Sequence, residues 1–291
     1  MITQEIIKKV RKIEIKTRGL SNQIFSGEYH SAFKGRGMTF SDVREYMPGD
    51  DIRAIDWNVT ARFNHPYVKV FEEERELTVI LLVDVSASGN FGTTLQYKKD
   101  LITELCAVLS FSAIQNNDKI GIIFFSDKIE KFVPPKKGKT HILRIIRELI
   151  EFKPENKKTS ISDALRYVSN VIKKKSIVFV ISDFSDKNFE DALKYTNRKH
   201  DVVALHVYDP LETELPNVGM IRLQNAETGE TMEIDSSNAE TRKRYRHLAI
   251  QKEKQLNDAF AKSGVDWVKL RTDQNYVQSL MRLFKKRGRK A

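Results

Sequence analysis

One cysteine, Cys106, stands in 291 residues. No disulfide can form within the chain, so its stability must come from packing. Cys106 lies among Leu101, Ile102, Leu105, Val108 and Leu109 at helical spacing and reads as core filler, not as a reactive thiol. Long apolar runs are missing too. Nothing approaches the ~18 residues of a membrane span, and the opening MITQEIIKKVRK has no signal-peptide stretch, so cytoplasmic residence is the expectation. Glycine-rich phosphate loops are absent: Gly35-Arg36-Gly37 lacks both a further glycine and a preceding strand, which argues against ATP hydrolysis by this chain. The histidines (His30, His65, His141, His200, His206 and His247) show no paired spacing that would suit zinc.

The net charge is +11, which directs attention to nucleic acid until the charge is located. Residues 1–20 carry +4 and residues 282–291 carry +6, so the body between them is nearly neutral. A solvated basic end is the expected role of RLFKKRGRK, with removal of residues 286–291 leaving the fold intact; RNA or acidic lipid is the alternative. No basic segment interleaved with aromatics supports sequence-specific RNA recognition.

What is present is an alternation of apolar patterns. Residues 78–88, TVILLVDVSAS, are apolar on both faces of a strand and turn polar at Asp84, Ser86 and Ser88. Such strands belong to parallel sheets covered on both sides. Helix patterns follow at 95–115, 141–151, 161–174, 189–198, 240–263 and 276–286, and strand patterns at 119–125, 129–133, 176–184, 202–208 and 265–271. Only three residues part strands 119–125 and 129–133, so the second is an antiparallel edge, which Pro134 and Pro135 are expected to end. The expected fold is α/β, a doubly wound, mostly parallel sheet with one antiparallel edge strand. Residues 18–76 and a hairpin at 219–235 about Thr228 and Gly229 are expected to form a smaller β-rich layer. The corresponding divisions are an N-terminal region 1–76, a core 77–210, the hairpin 211–237 packing with the N-terminal region, and a completion of the core with its basic tail over 238–291.

Ligands bind beyond the carboxyl ends of parallel strands. Asp84, Ser86 and Ser88 stand at one such end, and Asp183, closing SIVFVISDF, at another. Their donors are all oxygen, as suits Mg²⁺ or Mn²⁺. A serine-rich turn capping the next helix is the plainer account of the first segment. Thr159, opening an apolar-periodic helix, alone reads as an N-cap. Asp50, Asp51 and Asp56 form a second candidate site: a hydrolase would use them as metal ligands or bases, whereas the structural reading has them closing a glycine turn and pairing with Arg36, Arg53 or Arg62. The serines lack a neighbouring base of the nucleophile-elbow type, so covalent catalysis is not expected.

The order DxSxS, Thr, Asp resembles the metal-ion-dependent adhesion site of von Willebrand factor A domains. Longer stretches narrow the likeness: GRGMTFSDVREYMPGDDIRAIDWNVTAR (Gly35 to Arg62), VKVFEEERELTVILLVDVSAS (Val68 to Ser88), ISDF (Ile181 to Phe184) and ETGE (Glu227 to Glu230). Together they are similar to the bacterial family called domain of unknown function fifty-eight, soluble A-like proteins associated with MoxR-type AAA ATPases. The resemblance implies an A-like fold. It also implies a divalent ion touched directly by the hydroxyls of Ser86, Ser88 and Thr159, with Asp84 and Asp183 acting largely through water. An acidic side chain of a partner protein would fill the open coordination position. Departures are Lys157 and Lys158 where glycines are common before the threonine, Ser160 where Asp is usual, Gly89 where Met often stands, and Asn225 where Asp often precedes ETGE. The resulting expectation is a metal-dependent adaptor working with a MoxR-type AAA ATPase and not an enzyme. The alternatives are a hydrolase using Asp50 to Asp56 and a nucleic-acid or membrane-surface binder acting through the basic ends.

Overall fold

Val, Ile and Leu on both faces of residues 79–83 leave that segment no side on which to meet water, and it becomes a central strand. A computed structural model describes residues 11, 13, 14, 38–73, 76–92, 97–224 and 226–289. Its strands are β1 (Met38–Glu45), β2 (Tyr67–Glu73), β3 (Thr78–Asp84), β4 (Lys119–Phe125), β5 (Ile129–Lys136), β6 (Ile177–Ser182), β7 (Asp201–Tyr208), β8 (Met220–Gln224), β9 (Thr231–Asp235) and β10 (Asp266–Arg271). Its helices are α1 (Trp57–Phe63), α2 (Lys98–Gln115), α3 (Lys139–Glu151), α4 (Ile161–Val171), α5 (Glu190–Lys199), α6 (Ala239–Ser263) and α7 (Tyr276–Gly288).

Six strands form one sheet in the order β10-β7-β6-β3-β4-β5. All its neighbours run parallel except β4 and β5, the expected antiparallel edge. Val79, Leu81 and Val83 of β3 face one way and pack with α2, α3 and α7. Ile80 and Leu82 face the other and pack with α4, α5 and α6. Each fully buried Val or Leu contributes roughly 1.5–3 kcal/mol relative to exposure, so β3, buried on both faces, anchors both layers. β1 pairs with β2, and β8 with β9, in two separate antiparallel ladders.

Two expectations needed correction. Pro134 and Pro135 do not end β5, which runs on to Lys136. An edge strand needs no donors on its open side, and the β4–β5 register shifts between Ile120 and Ile122, where the prolines sit opposite. Gly121 permits that approach, since a Cβ there would lie 2.8 Å from the Pro135 nitrogen. Nor is the basic C-terminal segment solvated throughout: Arg282, Lys285, Lys286 and Arg289 are exposed, but Arg287 is buried. Leu280, Leu283, Phe284 and Arg287 share the buried face of α7, and the Arg287 guanidinium bonds Asp201 at 2.6 Å and Asp266 at 2.9 Å.

Removing one partner from such a buried ion pair leaves the other charges uncompensated. Arg287→Ala, or truncation at residue 286, is therefore expected to lower unfolding free energy by about 3–5 kcal/mol in urea titrations; an unchanged midpoint would place the guanidinium outside the fold's support. His200 is buried and neither ring nitrogen has a hydrogen-bond partner among the described residues. Burial, helped by Lys199, pushes its pKa down to about 4. The unfolded chain takes up this proton near pH 6.5 and the folded chain only near 4, so the stability associated with His200 is complete above 6.5 and is lost as pH falls toward 4. His200→Leu should flatten that part of the acid-unfolding profile, and an identical slope in wild type and variant would contradict the assignment.

Candidate metal centre

The chain passes from β3 to its neighbour β4, then crosses back to β6 on the other side of β3. The carboxyl ends of β3 and β6 therefore flank the point where strand order reverses, the place where open α/β sheets leave a crevice. Val83 pairs with Ile181, so Asp84 comes level with Ser182 and Asp183 follows one residue beyond, near enough for the two carboxylates to interact. Both are buried.

Asp84 is fixed from two sides. Its Oδ1 accepts from the Ser86 amide at 3.0 Å and its Oδ2 from the Ser182 hydroxyl at 2.6 Å. Ser86 and Ser88 place their hydroxyl oxygens 3.1 Å apart. Although Ser86 precedes a short 3-10 turn (Ala87–Asn90), its side chain makes no capping bond, and α2 begins only at Lys98 with Tyr97 as its cap. The plain capping account of these serines is thus not what the hydroxyls do. Ser88 faces Asp183 and adds slightly to the lowering of its pKa.

Thr159 lies one residue before the helix cap. Ser160 caps α4, accepting from the Asp163 amide, so the expected N-cap role passes to its neighbour. Two backbone bonds tie this loop to the sheet edge, Ala87 N–H to the Lys157 carbonyl at 3.1 Å and Ser160 N–H to the Ser126 carbonyl at 2.8 Å. The Thr159 hydroxyl donates to Glu227 Oε1 at 3.1 Å. Side-chain bonds thus join Asp84 to Ser182 and Ser86 to Ser88, whereas the Thr159 loop is tied to this edge by backbone and its hydroxyl is held by Glu227.

Two carboxylates so close and so dry need a counter-charge. Burial and the facing Asp183 raise the Asp84 carboxyl to about 6. Asp183 goes the other way: burial opposes its ionisation, but the Lys98 ammonium at 2.8 Å outweighs burial and holds it well below the usual carboxylate range. Lys98 is 1% exposed and also bonds Glu212 at 2.6 Å. Burial alone would lower its pKa, and the two carboxylates reverse that and hold it above the ordinary value. Glu212 is itself fixed, since its other oxygen accepts from the Asp209 amide in a reciprocal cap. Immediately after Asp183, Phe184 has φ 50°, a left-handed conformation costing a bulky residue on the order of 1–3 kcal/mol. Its amide bonds the Ser182 hydroxyl and its ring packs 5.1 Å from Phe260, which hold the turn in place.

Lys98, Glu212, Ser182 and Glu227 escaped the sequence reading. Only Asp209-Pro-Leu-Glu212 carried a local signal, a capping-box spacing, while Glu227 stood within a quoted motif and read as turn. Among the described residues no group of three or more His, Cys, Asp or Glu side chains is arranged to hold a metal. A cation here would meet mostly hydroxyl oxygen. That donor set fits Mg²⁺ or Mn²⁺, for which oxygen ligands and retained water are the rule.

The second acidic group divides into separate tasks. Asp50 takes the Arg44 guanidinium at 2.7 Å on both oxygens and the Met47 amide, and these hold it down to about 2. Asp51 caps a short 3-10 turn, and Asp56 caps α1 with Lys69 at 3.8 Å. The turn-closing and pairing roles match the structural reading, but the partners are Arg44 and Lys69; Arg36 lies outside the described residues.

The sequence model of the family described as "Protein of unknown function DUF58" matches residues 42–255. An uncharacterized protein of Mycobacterium tuberculosis, Rv1480, is 28% identical over 285 residues, 97% of this chain and 90% of its own. Among solved structures, the conserved hypothetical protein BatB from Bacteroides thetaiotaomicron superposes with a TM-score of 0.48 at 16% identity, over 73% of this chain and 99% of that one. Proximal thread matrix protein 1 from the mussel byssus, with a zinc-occupied MIDAS motif, gives 0.37 at 18% identity, over 45% of this chain and 38% of its own. Likenesses at these scores carry no argument about the site.

The charge arrangement can be probed directly. Lys98→Met keeps the aliphatic stem and removes the ammonium from Asp183 and Glu212. In EDTA at pH 7 it is expected to cost about 3–5 kcal/mol of unfolding free energy, measured by urea titration. A variant as stable as wild type would show that another group neutralises Asp183.

Proposed function

This chain belongs to the DUF58 family, and from that premise we propose that it is a cytoplasmic, divalent-metal-dependent protein-binding adaptor rather than an enzyme. Ser86, Ser88 and Thr159 would hold Mg²⁺ or Mn²⁺ by their hydroxyls, with Asp84 and Asp183 orienting them and balancing charge. The observation that carries this reading is the Ser86–Ser88 hydroxyl pair, 3.1 Å apart and unused for capping, set between two buried carboxylates at the sheet's switch point. Hard cations favour such oxygen donors, and an ion there would relieve the repulsion that Lys98 offsets only in part.

Recognition would follow from the same chemistry. A bound cation with an open position takes an acidic side chain from a partner protein. The partner proposed from the sequence resemblance is a MoxR-type AAA ATPase, with maturation or remodelling of other proteins as the shared task. No described residue of the Asp50 to Asp56 group has a geometry that favours the hydrolase alternative, because the capping and pairing bonds engage each carboxylate. Arg287 of the C-terminal basic segment is likewise committed to the fold.

Mg²⁺ or Mn²⁺ should raise the thermal midpoint of wild type by mass action and leave that of Asp84→Ala unmoved. With the MoxR-type ATPase as titrant, EDTA and Ser88→Ala should each weaken the same complex tenfold or more, ~1.4 kcal/mol per factor of ten. Circular dichroism serves as the folding control. A complex indifferent to both treatments would put the contact elsewhere.

A further inference from the structure

The hairpin of β8 and β9 hangs over the carboxyl edge, and its turn carries Glu227. We propose that Glu227 is this chain's own carboxylate ligand for the metal centre, taking the coordination position that a partner's acidic residue would need. The proposal rests on the metal-binding reading above.

Three observations support it. Glu227 Oε1 meets the Thr159 hydroxyl across 68 residues of sequence, at 3.1 Å. The Ser86 and Ser88 hydroxyls are separated by the same 3.1 Å. Both distances exceed the usual 2.7–2.8 Å of an O–H···O bond. They approach roughly 2.9 Å, the edge between adjacent ligands of an octahedral Mg²⁺ site with bonds of 2.0–2.1 Å. Each separation is compatible with one edge of such a shell.

Glu227 also lines a cavity of about 510 Å³ together with Ser88 and Asp183, while Asp84 and Ser86 line a neighbouring smaller one. Leu215, Ile221, Leu223 and Tyr245 line much of the remainder. Strand pairing keeps the turn above this space, since Leu223 opposes Met232 and Gln224 opposes Thr231 directly beneath it. Capture of an external carboxylate at the ion then requires Glu227 to yield, which makes the hairpin an internal competitor for the partner.

The test uses the full chain and Mn²⁺ alone as probe, with electron paramagnetic resonance for affinity and water-proton relaxation for the number of exchangeable waters on the bound ion. Glu227→Gln should bind Mn²⁺ at least tenfold more weakly and gain one water. Glu230→Gln, which removes the same charge from the same exposed turn, should change neither. Melting in EDTA checks that the variants fold. If Asp84→Ala abolishes binding while Glu227→Gln keeps wild-type affinity and water count, Glu227 is not a ligand and the metal centre stands without it. Equal losses in Glu227→Gln and Glu230→Gln would reduce the effect to general charge and overturn the proposal. Wild-type binding in Asp84→Ala would overturn both the proposal and the reading beneath it.

Discussion

Asp84 and Asp183 are buried side by side at the ends of adjacent parallel strands, and that arrangement of like charge governs the rest of the site. Unbalanced, two such carboxylates would cost several kcal/mol. The protein balances them chiefly with the buried Lys98 ammonium, held by Asp183 on one side and Glu212 on the other. The neutralisation is uneven: Asp183 is driven toward its charged form, while Asp84, facing it, is pushed toward the neutral one. A region with surplus negative potential and oriented hydroxyls remains. Such a region attracts a cation, and a divalent one finds the donors that suit it.

The fold makes this arrangement unavoidable once the topology is set. Because β3 is flanked by β4 on one side and β6 on the other, the chain must leave β3 and β6 in opposite directions, which opens the edge between them. Burial of β3 on both faces fixes its register against β6 and so sets the offset between the two aspartates. Partners arrive from remote sequence: Lys98 from the first turn of α2, Glu212 from the cap after β7, Glu227 from the hairpin. Each is positioned by backbone hydrogen bonding of its own element, so the site does not depend on long, loose side chains alone.

Much of this architecture was legible beforehand because its signals are local. The double-faced apolar runs of β3 and β6, the three-residue link that makes β5 antiparallel, and the helical pattern at 240–263 that becomes α6 each follow from neighbouring residues. What escaped is non-local or masked by composition. The Lys98–Asp183–Glu212 bridge spans more than a hundred residues and leaves no periodic trace. Arg287 was hidden in a basic run, yet positions 280, 283, 284 and 287 fall on one helical face, and that spacing marks it as inward. Pro134 and Pro135 misled because a proline stops a central strand, whereas an edge strand tolerates it. Thr159 and Ser160 both carry hydroxyls, and only the three-dimensional loop decides which one caps α4.

The central claim is that three hydroxyl oxygens, from the loop after β3 and the loop before α4, converge on one divalent ion. Crystals grown in or soaked with Mn²⁺ would test it most directly through the anomalous difference map. The account predicts a single strong peak within bonding distance of the Ser86, Ser88 and Thr159 hydroxyls, lost in Asp84→Ala crystals. A map with no peak there at saturating Mn²⁺, or with the peak instead on Asp50, Asp51 or Asp56, would contradict it.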